Sequence, residues 1–113
     1  MSRSQNQGYK SAKPLQISYI CFDPEGNMYV SDFMNQRIRK ISAYMEVSTI
    51  AGTGIAGWQN GPAEEAKFNY PRGICVDDTC NIYIGDIWNH RIRKISTDGM
   101  VMDWAGGGTT IDY

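Results

Sequence analysis

The chain has 113 residues, in which 11 Lys and Arg against 12 Asp and Glu give a formal net charge of −1. This length suits one ordinary domain, and the near-neutral charge provides no overall attraction to nucleic acid or anionic lipid. No stretch of about 18 apolar residues is present, so the sequence indicates no transmembrane helix.

The first sixteen residues are polar and lack the apolar segment of a secretory signal. Residues 1–16 are therefore predicted to be a flexible tail, and the sequence does not specify a compartment. The three cysteines, Cys21, Cys75 and Cys80, form no CxxC pair and are predicted to be free thiols.

Four short segments rich in β-branched and aromatic residues follow the tail, and turn residues separate them. They are residues 20–22, 28–30, 37–41 and 47–51. In the third segment, Arg37 and Arg39 flank Ile38, so arginine and isoleucine fall on opposite faces of a strand. The four segments predict an antiparallel meander.

A connector comes next and covers residues 54–70. Its sequence places Pro62 near a helix start, with Glu64 and Glu65 in the first turn and Lys67 near the end. This order of charges matches the dipole of a helix. One or two helical turns are predicted here.

A second copy of the four segments follows the connector. Residues 74–95 are identical to residues 20–41 at 12 of 22 positions, with a constant offset of 54 residues. A repeated four-stranded unit of this length is typical of a β-propeller, whose blades pack face to face.

The second copy resembles the NHL repeat, which is named for an Asn-His-Leu triplet. Residues 71–77, 81–86 and 89–95 carry the resemblance, and the first copy has Gln36 where the second has His90. The resemblance implies an all-β fold of two four-stranded antiparallel propeller blades. These are either part of a longer propeller or a subunit of an oligomeric, six-bladed ring. The predicted divisions are the tail at 1–16, the first blade at 17–53, the connector with its short helix at 54–70, the second blade at 71–108 and the C-terminal end at 109–113.

Two sets of polar residues recur at identical spacing in the copies. They are Asp32, Asn35 and Arg37 in the first, and Asp86, Asn89 and Arg91 in the second. A carboxylate at a strand end, a turn-forming asparagine and an arginine can satisfy one another. Because both copies contain the set, we predict a structural network rather than an active site. His90 is also predicted to be structural, since Gln36 preserves hydrogen bonding but not proton transfer.

Ligand recognition is expected in loops that differ between the copies, because scaffold positions repeat and recognition positions need not. The candidates are partly apolar: Phe33, Met34, Trp58, Ile87 and Trp88. We therefore predict a scaffold that binds a protein or a glycan, without catalytic residues, cofactor or metal. Its further partners are the remaining blades of a longer propeller or other copies of itself, and nucleic acid is disfavoured.

Two alternative functions stay open. The resemblance to enzymatic propellers implies a lyase or a metal-dependent hydrolase, in which Asp23 and Asp77 reach towards a calcium site. The resemblance to RNA-binding propellers implies a basic rim that includes Arg39 and Arg93. The connector also resembles linkers of bacterial surface or secreted NHL proteins, which implies a surface or secreted parent protein.

Overall fold

The computed structural model describes residues 14–106 of the chain. Most of the predicted tail, and the predicted C-terminal end at 109–113, lie outside the described residues. Within 14–106, no helix has the length and apolar character needed to cross a membrane.

The first copy of the repeat forms a four-stranded antiparallel meander, here called sheet 1. Its strands are β1 (Ile17–Phe22), β2 (Met28–Asp32), β3 (Arg37–Ile41) and β4 (Val47–Ala51), paired in that order. The 3₁₀ turn Phe33–Asn35 joins β2 to β3, and Gln36 ends this turn with φ of 56°. The predicted meander is thus confirmed, with β1 starting earlier than the apolar run suggested.

The second copy forms sheet 2, which has the same meander and one additional strand. Its strands are β5 (Gly61–Pro62), β6 (Pro71–Val76), β7 (Ile82–Asp86), β8 (Arg91–Ile95) and β9 (Met100–Gly106), in the order β5-β9-β8-β7-β6. The short β5 comes from the connector and pairs with the outermost strand β9. A second 3₁₀ turn, Ile87–Asn89, joins β7 to β8 and ends at His90 with φ of 58°.

The connector does not form an ordinary helix. Its predicted helical segment contains one 3₁₀ turn, Ala63–Glu65, directly after β5. Two backbone N–H groups just after β4 instead bond to the carbonyls of this segment. Gly52 N donates to Ala63 O at 3.0 Å, and Thr53 N donates to Ala66 O at 3.0 Å. The connector therefore ties sheet 1 to sheet 2 along its length, which leaves no room for further helical turns.

Side-chain alternation gives each sheet a docked face, which contacts the other sheet, and an outer face. The docked face of sheet 1 carries Tyr29, Ile38, Ile50 and Ala51, and that of sheet 2 carries Ile82, Ile84, Ile95 and Val101. The outer face of sheet 1 carries Ile20, Phe22, Met28 and Ile41, and that of sheet 2 carries Tyr83, Ile92, Met102 and Trp104.

The core lies between the two docked faces. Phe68, Ala66 and Ala63 of the connector complete it, and Phe68 and Ala66 are fully buried. The first strands of the two sheets, β1 and β6, lie side by side, as the innermost strands of adjacent propeller blades do. Full burial of a side chain such as Phe68 stabilises the fold by about 1.5–3 kcal/mol.

A buried ion pair anchors the β7–β8 turn of sheet 2. Arg93 Nη1 donates to Asp86 Oδ2 at 2.5 Å, and neither side chain is exposed. The same carboxylate accepts hydrogen bonds from Asn69 N at 2.8 Å and Asn89 Nδ2 at 2.7 Å. Arg93 also donates to the carbonyls of Lys67 and Gln59, both at 2.9 Å. One arginine thus links the strand, the turn and the connector.

Sheet 1 repeats this arrangement with a different covering segment. Asp32 accepts from Arg39 Nε at 2.9 Å, from Asn35 Nδ2 at 2.9 Å and from Gln16 N at 2.6 Å. The Arg39 side chain remains 14% exposed, whereas that of Arg93 is completely covered. The difference follows from the connector, which lies over Arg93.

We expect Ile38→Ala to lower the free energy of unfolding by about 2–5 kcal/mol, because it removes a fully buried side chain from the docked face of sheet 1. The matched control is Ile55→Ala, which truncates an exposed isoleucine of the connector and should change stability by less than about 0.5 kcal/mol. Urea unfolding followed by circular dichroism measures both. Equal midpoints for the two variants would contradict the assigned core.

Arg93→Met should lower the free energy of unfolding by about 3–5 kcal/mol, because Asp86 would remain buried without its cationic partner. The control is Arg72→Met, since Arg72 is exposed and its guanidinium lies 5.9 Å from the Tyr19 ring centroid, away from any buried carboxylate. The same urea experiment compares the two. A loss no greater for Arg93→Met than for Arg72→Met would show that the buried pair does not anchor the turn.

Candidate functional site

The candidate site is a surface at the end of the two sheets where the 3₁₀ turns Phe33–Asn35 and Ile87–Asn89 lie. We call it the loop-end surface, and it consists of Phe33, Met34, Tyr70, Ile87 and Trp88. Met34, Ile87 and Trp88 are exposed, and Trp88 keeps 65% of its surface accessible. Large apolar side chains held in solvent on loops are typical of contact surfaces.

Three aromatic rings form a continuous strip on this surface. The ring centroids of Phe33 and Tyr70 are 6.4 Å apart, and those of Tyr70 and Trp88 are 5.9 Å apart. Both pairs are tilted, at 56° and 54°, which is a favourable geometry for aromatic pairs. Tyr70 therefore joins the turn of sheet 1 to the turn of sheet 2.

The backbone holds Tyr70 in place between the turns. Tyr70 has φ of 59°, in the left-handed region that few residues other than glycine adopt. Its N–H donates to Oε1 of the buried Gln36 at 2.7 Å, and Trp88 N donates to Asn69 O at 3.1 Å. Gln36 thus has a positioning role at the sheet–sheet contact, whereas its counterpart His90 is exposed.

The polar residues predicted from the repeat lie directly beneath this surface. Asp32 contacts Asn35, and Asp86 contacts Asn89, as the spacing indicates. The arginines in these contacts are Arg39 and Arg93, which lie two residues after the predicted ones.

Arg37 and Arg91 make other contacts. Arg37 donates to Thr53 O at 3.0 Å, and its guanidinium occupies the space beside Gly54, where a Cβ would be 2.6 Å from Nη2. Arg91 Nε donates to Asp103 Oδ2 at 3.1 Å. Both arginines lie directly opposite the buried aspartates in the strand pairing, but their guanidinium groups contact the connector and the outer strand instead.

Trp58 lies on the connector beside the second turn. Its indole Nε1 donates to Asp103 Oδ1 at 3.0 Å, and the Arg91 guanidinium lies 4.1 Å from its ring centroid. Burial raises the pKa of Asp103, but hydrogen bonds from Trp58 and Asn60 and the charges of Arg91 and Arg93 outweigh it and hold that pKa below its usual range. Trp58 is therefore a fixed, half-exposed ring that is separate from the aromatic strip.

The two candidate calcium ligands lie at the opposite end of the sheets and serve their own turns. Asp23 accepts from Glu25 N at 2.9 Å, Asn27 N at 3.0 Å and Tyr29 Oη at 3.0 Å. Burial raises the pKa of Asp23, but these hydrogen bonds outweigh it and leave the pKa below its usual value. The carboxylate oxygens of Asp23 are thus already used by hydrogen-bond donors.

Asp77 repeats the same pattern in sheet 2. It accepts from Thr79 N at 3.0 Å, Asn81 N at 2.9 Å and Tyr83 Oη at 3.1 Å, and the net effect against burial again lowers its pKa. Among residues 14–106, the group of possible metal ligands comprises Asp23, Glu25 and Cys80, whose ligand atoms lie within 4.8 Å of one another. A thiol and two carboxylates, one of them engaged, do not suit calcium, which takes six to eight oxygen ligands.

Residues 68–95 match the family described as the NHL repeat. Among curated proteins, the chain is similar to Protein SUPPRESSOR OF QUENCHING 1, chloroplastic, from Arabidopsis thaliana, with 32% identity over 93 residues that cover 80% of this chain and 9% of that protein. Teneurin-1 from Gallus gallus is 33% identical over 107 residues, covering 80% of this chain and 4% of the relative. The chain thus spans less than a tenth of these curated relatives.

Solved structures also contain this pair of sheets. A Bacteroides thetaiotaomicron protein of unknown function has a TM-score of 0.69 and 31% identity, covering 75% of this chain and 22% of that one. An auxiliary nutrient binding protein from the same organism has a TM-score of 0.68 and 23% identity, covering 80% and 25%. Virginiamycin B lyase from Staphylococcus aureus has a TM-score of 0.57 and 15% identity, covering 82% and 28%.

The repeat match and the structural likenesses agree with the two face-to-face sheets of this chain and with the polar set that recurs in both. Residues 68–95 are an NHL repeat, and sheets 1 and 2 are two blades of a propeller-like all-β fold of the kind found in its structural neighbours.

Proposed function

We propose that the two blades are a non-catalytic binding scaffold and that the loop-end surface binds an apolar segment of a protein partner. The observation that carries this proposal is the strip of half-buried Phe33, half-buried Tyr70 and exposed Trp88, whose turns are anchored on buried carboxylates. Rigid, exposed aromatic side chains are the residues that most often dominate binding energy at protein interfaces.

The surroundings of the strip favour a protein over a glycan. Sugar recognition combines an aromatic ring with polar groups that fix the hydroxyls. Here the exposed neighbours of the rings are Met34 and Ile87, and the side chains of Asn35 and Asn89 are turned inward to Asp32 and Asp86. An apolar surround of this kind fits an apolar side chain of another protein better than a sugar.

The similarity to an auxiliary nutrient binding protein supports a binding role for this kind of scaffold. The similarity to a lyase is a similarity of fold at 15% identity. An enzymatic function would use the carboxylates of Asp23 and Asp77, but both accept hydrogen bonds from their own turns. This weighs against catalysis at that end of the sheets.

RNA binding is disfavoured because the arginines of the third strands already have partners within the chain. Arg39 and Arg93 are paired with buried aspartates, and Lys94 Nζ lies 4.9 Å from the Trp104 ring centroid. Phosphate binding needs free cationic side chains that displace the counterions condensed on the nucleic acid. A net charge of −1 adds no compensating attraction.

Peptides selected from a phage-displayed library on the wild-type protein should lose at least about tenfold in affinity for Trp88→Ala and for Phe33→Ala, because truncation of a central aromatic residue costs about 2 kcal/mol or more. Tyr70→Phe should bind as the wild type does, since it keeps the bridging ring. The control is Tyr44→Ala, which truncates a tyrosine that is 88% exposed in the β3–β4 turn, outside the loop-end surface.

Fluorescence anisotropy of the labelled peptides gives these affinities, and circular dichroism checks that each variant is folded. Selected peptides that bind Trp88→Ala as tightly as the wild type would overturn the proposed surface. Strip-dependent binding on a glycan microarray, with no peptide enriched, would overturn the protein partner in favour of a glycan.

A further inference from the structure

We propose that the protein segment bound at the loop-end surface carries carboxylate side chains beside its apolar residues, and that Arg72 is the group that receives them. This inference rests on the proposed function, because it names the chemistry of the partner at that same surface. Arg72 lies in β6, the inner strand of sheet 2, two residues after Tyr70.

The loop end of the sheets has more positive than negative side chains. Each carboxylate near this end is paired with arginine: Asp32 with Arg39, Asp86 with Arg93, and Asp103 with Arg91 and Arg93. Within residues 14–106, Arg37 and Arg72 form no salt bridge, and Arg37 donates to the carbonyl of Thr53. Arg72 is the exposed member of this pair, so the surplus positive charge is most accessible there.

The setting of Arg72 places its guanidinium near the aromatic strip. The Cα atoms of Tyr70 and Arg72 are separated by no more than about 7 Å, since the residues are two apart in the chain. The buried hydroxyl of Ser31 donates to the carbonyl of Arg72, which holds β6 against sheet 1.

The Arg72 guanidinium is available to a ligand. It lies 5.9 Å from the ring centroid of Tyr19, which is 51% exposed. Within residues 14–106 it donates no side-chain hydrogen bond to a carboxylate. Its paired N–H groups can therefore bind a carboxylate of the partner in bidentate geometry.

The opposite end of the sheets has the opposite charge. The turns there contain the carboxylates of Asp23, Glu25, Glu46, Asp77, Asp78 and Asp98. The remaining carboxylates of residues 14–106, Glu64 and Glu65, belong to the 3₁₀ turn of the connector. An acidic segment is therefore attracted to the loop end and repelled from the far end, which favours it over a basic one.

The first copy has no arginine at the position equivalent to Arg72. Ser18 occupies it, and its hydroxyl oxygen lies 3.1 Å from that of Ser31. The fold of a blade therefore does not need a cation at this position. A charged residue that one blade carries and the other lacks is typical of a recognition position rather than of the scaffold.

Single-stranded RNA also combines negative charge with flat rings, but the loop end suits it less well. Stacking of successive bases uses several accessible rings along a basic groove, whereas Trp88 is exposed and Phe33 and Tyr70 are half-buried. Arg37 and Arg72 would provide few phosphate contacts. A peptide needs one apolar contact and one ion pair, and the loop end provides both.

The experiment selects peptides from a random phage-displayed library on the wild-type protein, and the selected sequences should be enriched in Asp or Glu beside their apolar residues. Arg72→Gln should weaken their binding about two- to fivefold, as expected for an exposed ion pair. The matched control is Lys40→Gln, which removes the same charge near the far end of β3 and should bind as the wild type does. Selection on Arg72→Glu should enrich Lys or Arg instead.

Fluorescence anisotropy of the labelled peptides gives the affinities, and circular dichroism checks that each variant is folded. Replacing the peptide carboxylates by amides should cause the same loss as Arg72→Gln, and the two changes together should cause no further loss. Raising NaCl from about 0.05 to about 0.5 M should weaken binding to the wild type more than binding to Arg72→Gln.

The failure of this inference is distinct from the failure of the proposed function. Peptides that need Trp88 but show no acidic enrichment, and bind Arg72→Gln as tightly as the wild type, would overturn the acidic partner and leave the proposed function standing. Peptides that bind Trp88→Ala as tightly as the wild type would overturn both. Binding of a fluorescent oligouridine that depends on Trp88 and Arg72, with no peptide enriched, would overturn the protein partner in favour of RNA.

Discussion

Each sheet of this chain has two apolar faces, and both must be kept from water; the structure depends on this constraint. Hydrophobic burial stabilises a fold in proportion to the apolar area covered, and among residues 14–106 the contact between the sheets covers one face of each. Ile38 and Ile84 are completely buried between the sheets, while Phe22 and Trp104 remain exposed on the outer faces. The stability of the pair therefore rests on a single layer of side chains, completed by Phe68 of the connector.

The buried carboxylates make the loop ends rigid without contributing an apolar contact. Asp86 satisfies the backbone of the connector through Asn69, the turn through Asn89 and the third strand through Arg93. A buried charge that lacked these partners would destabilise the fold by several kcal/mol. The hydrogen bonds to Asp86 fix the turn that carries Trp88, so the exposed ring of Trp88 has a defined position.

The repeat predicts the strands well because their alternation is local and occurs twice. The arginine partners were predicted wrongly from spacing alone, since Arg37 is directly opposite Asp32 in the pairing, yet the diagonal Arg39 has the side-chain direction that reaches the carboxylate. Tyr70 was missed as a member of the site because it has no aromatic counterpart, as Gln16 occupies the equivalent position. Its role depends on a left-handed backbone conformation, and for a tyrosine that conformation carries no sequence signal.

Tyr70 is the residue that makes one continuous strip out of two separate turns. It links the two aromatic turns across the sheet–sheet contact. The equivalent position of the first copy is Gln16, which has no ring. The strip therefore depends on a residue that differs between the copies, whereas the buried aspartates beneath it are the same in both. This division matches a scaffold whose framework positions repeat and whose surface positions do not.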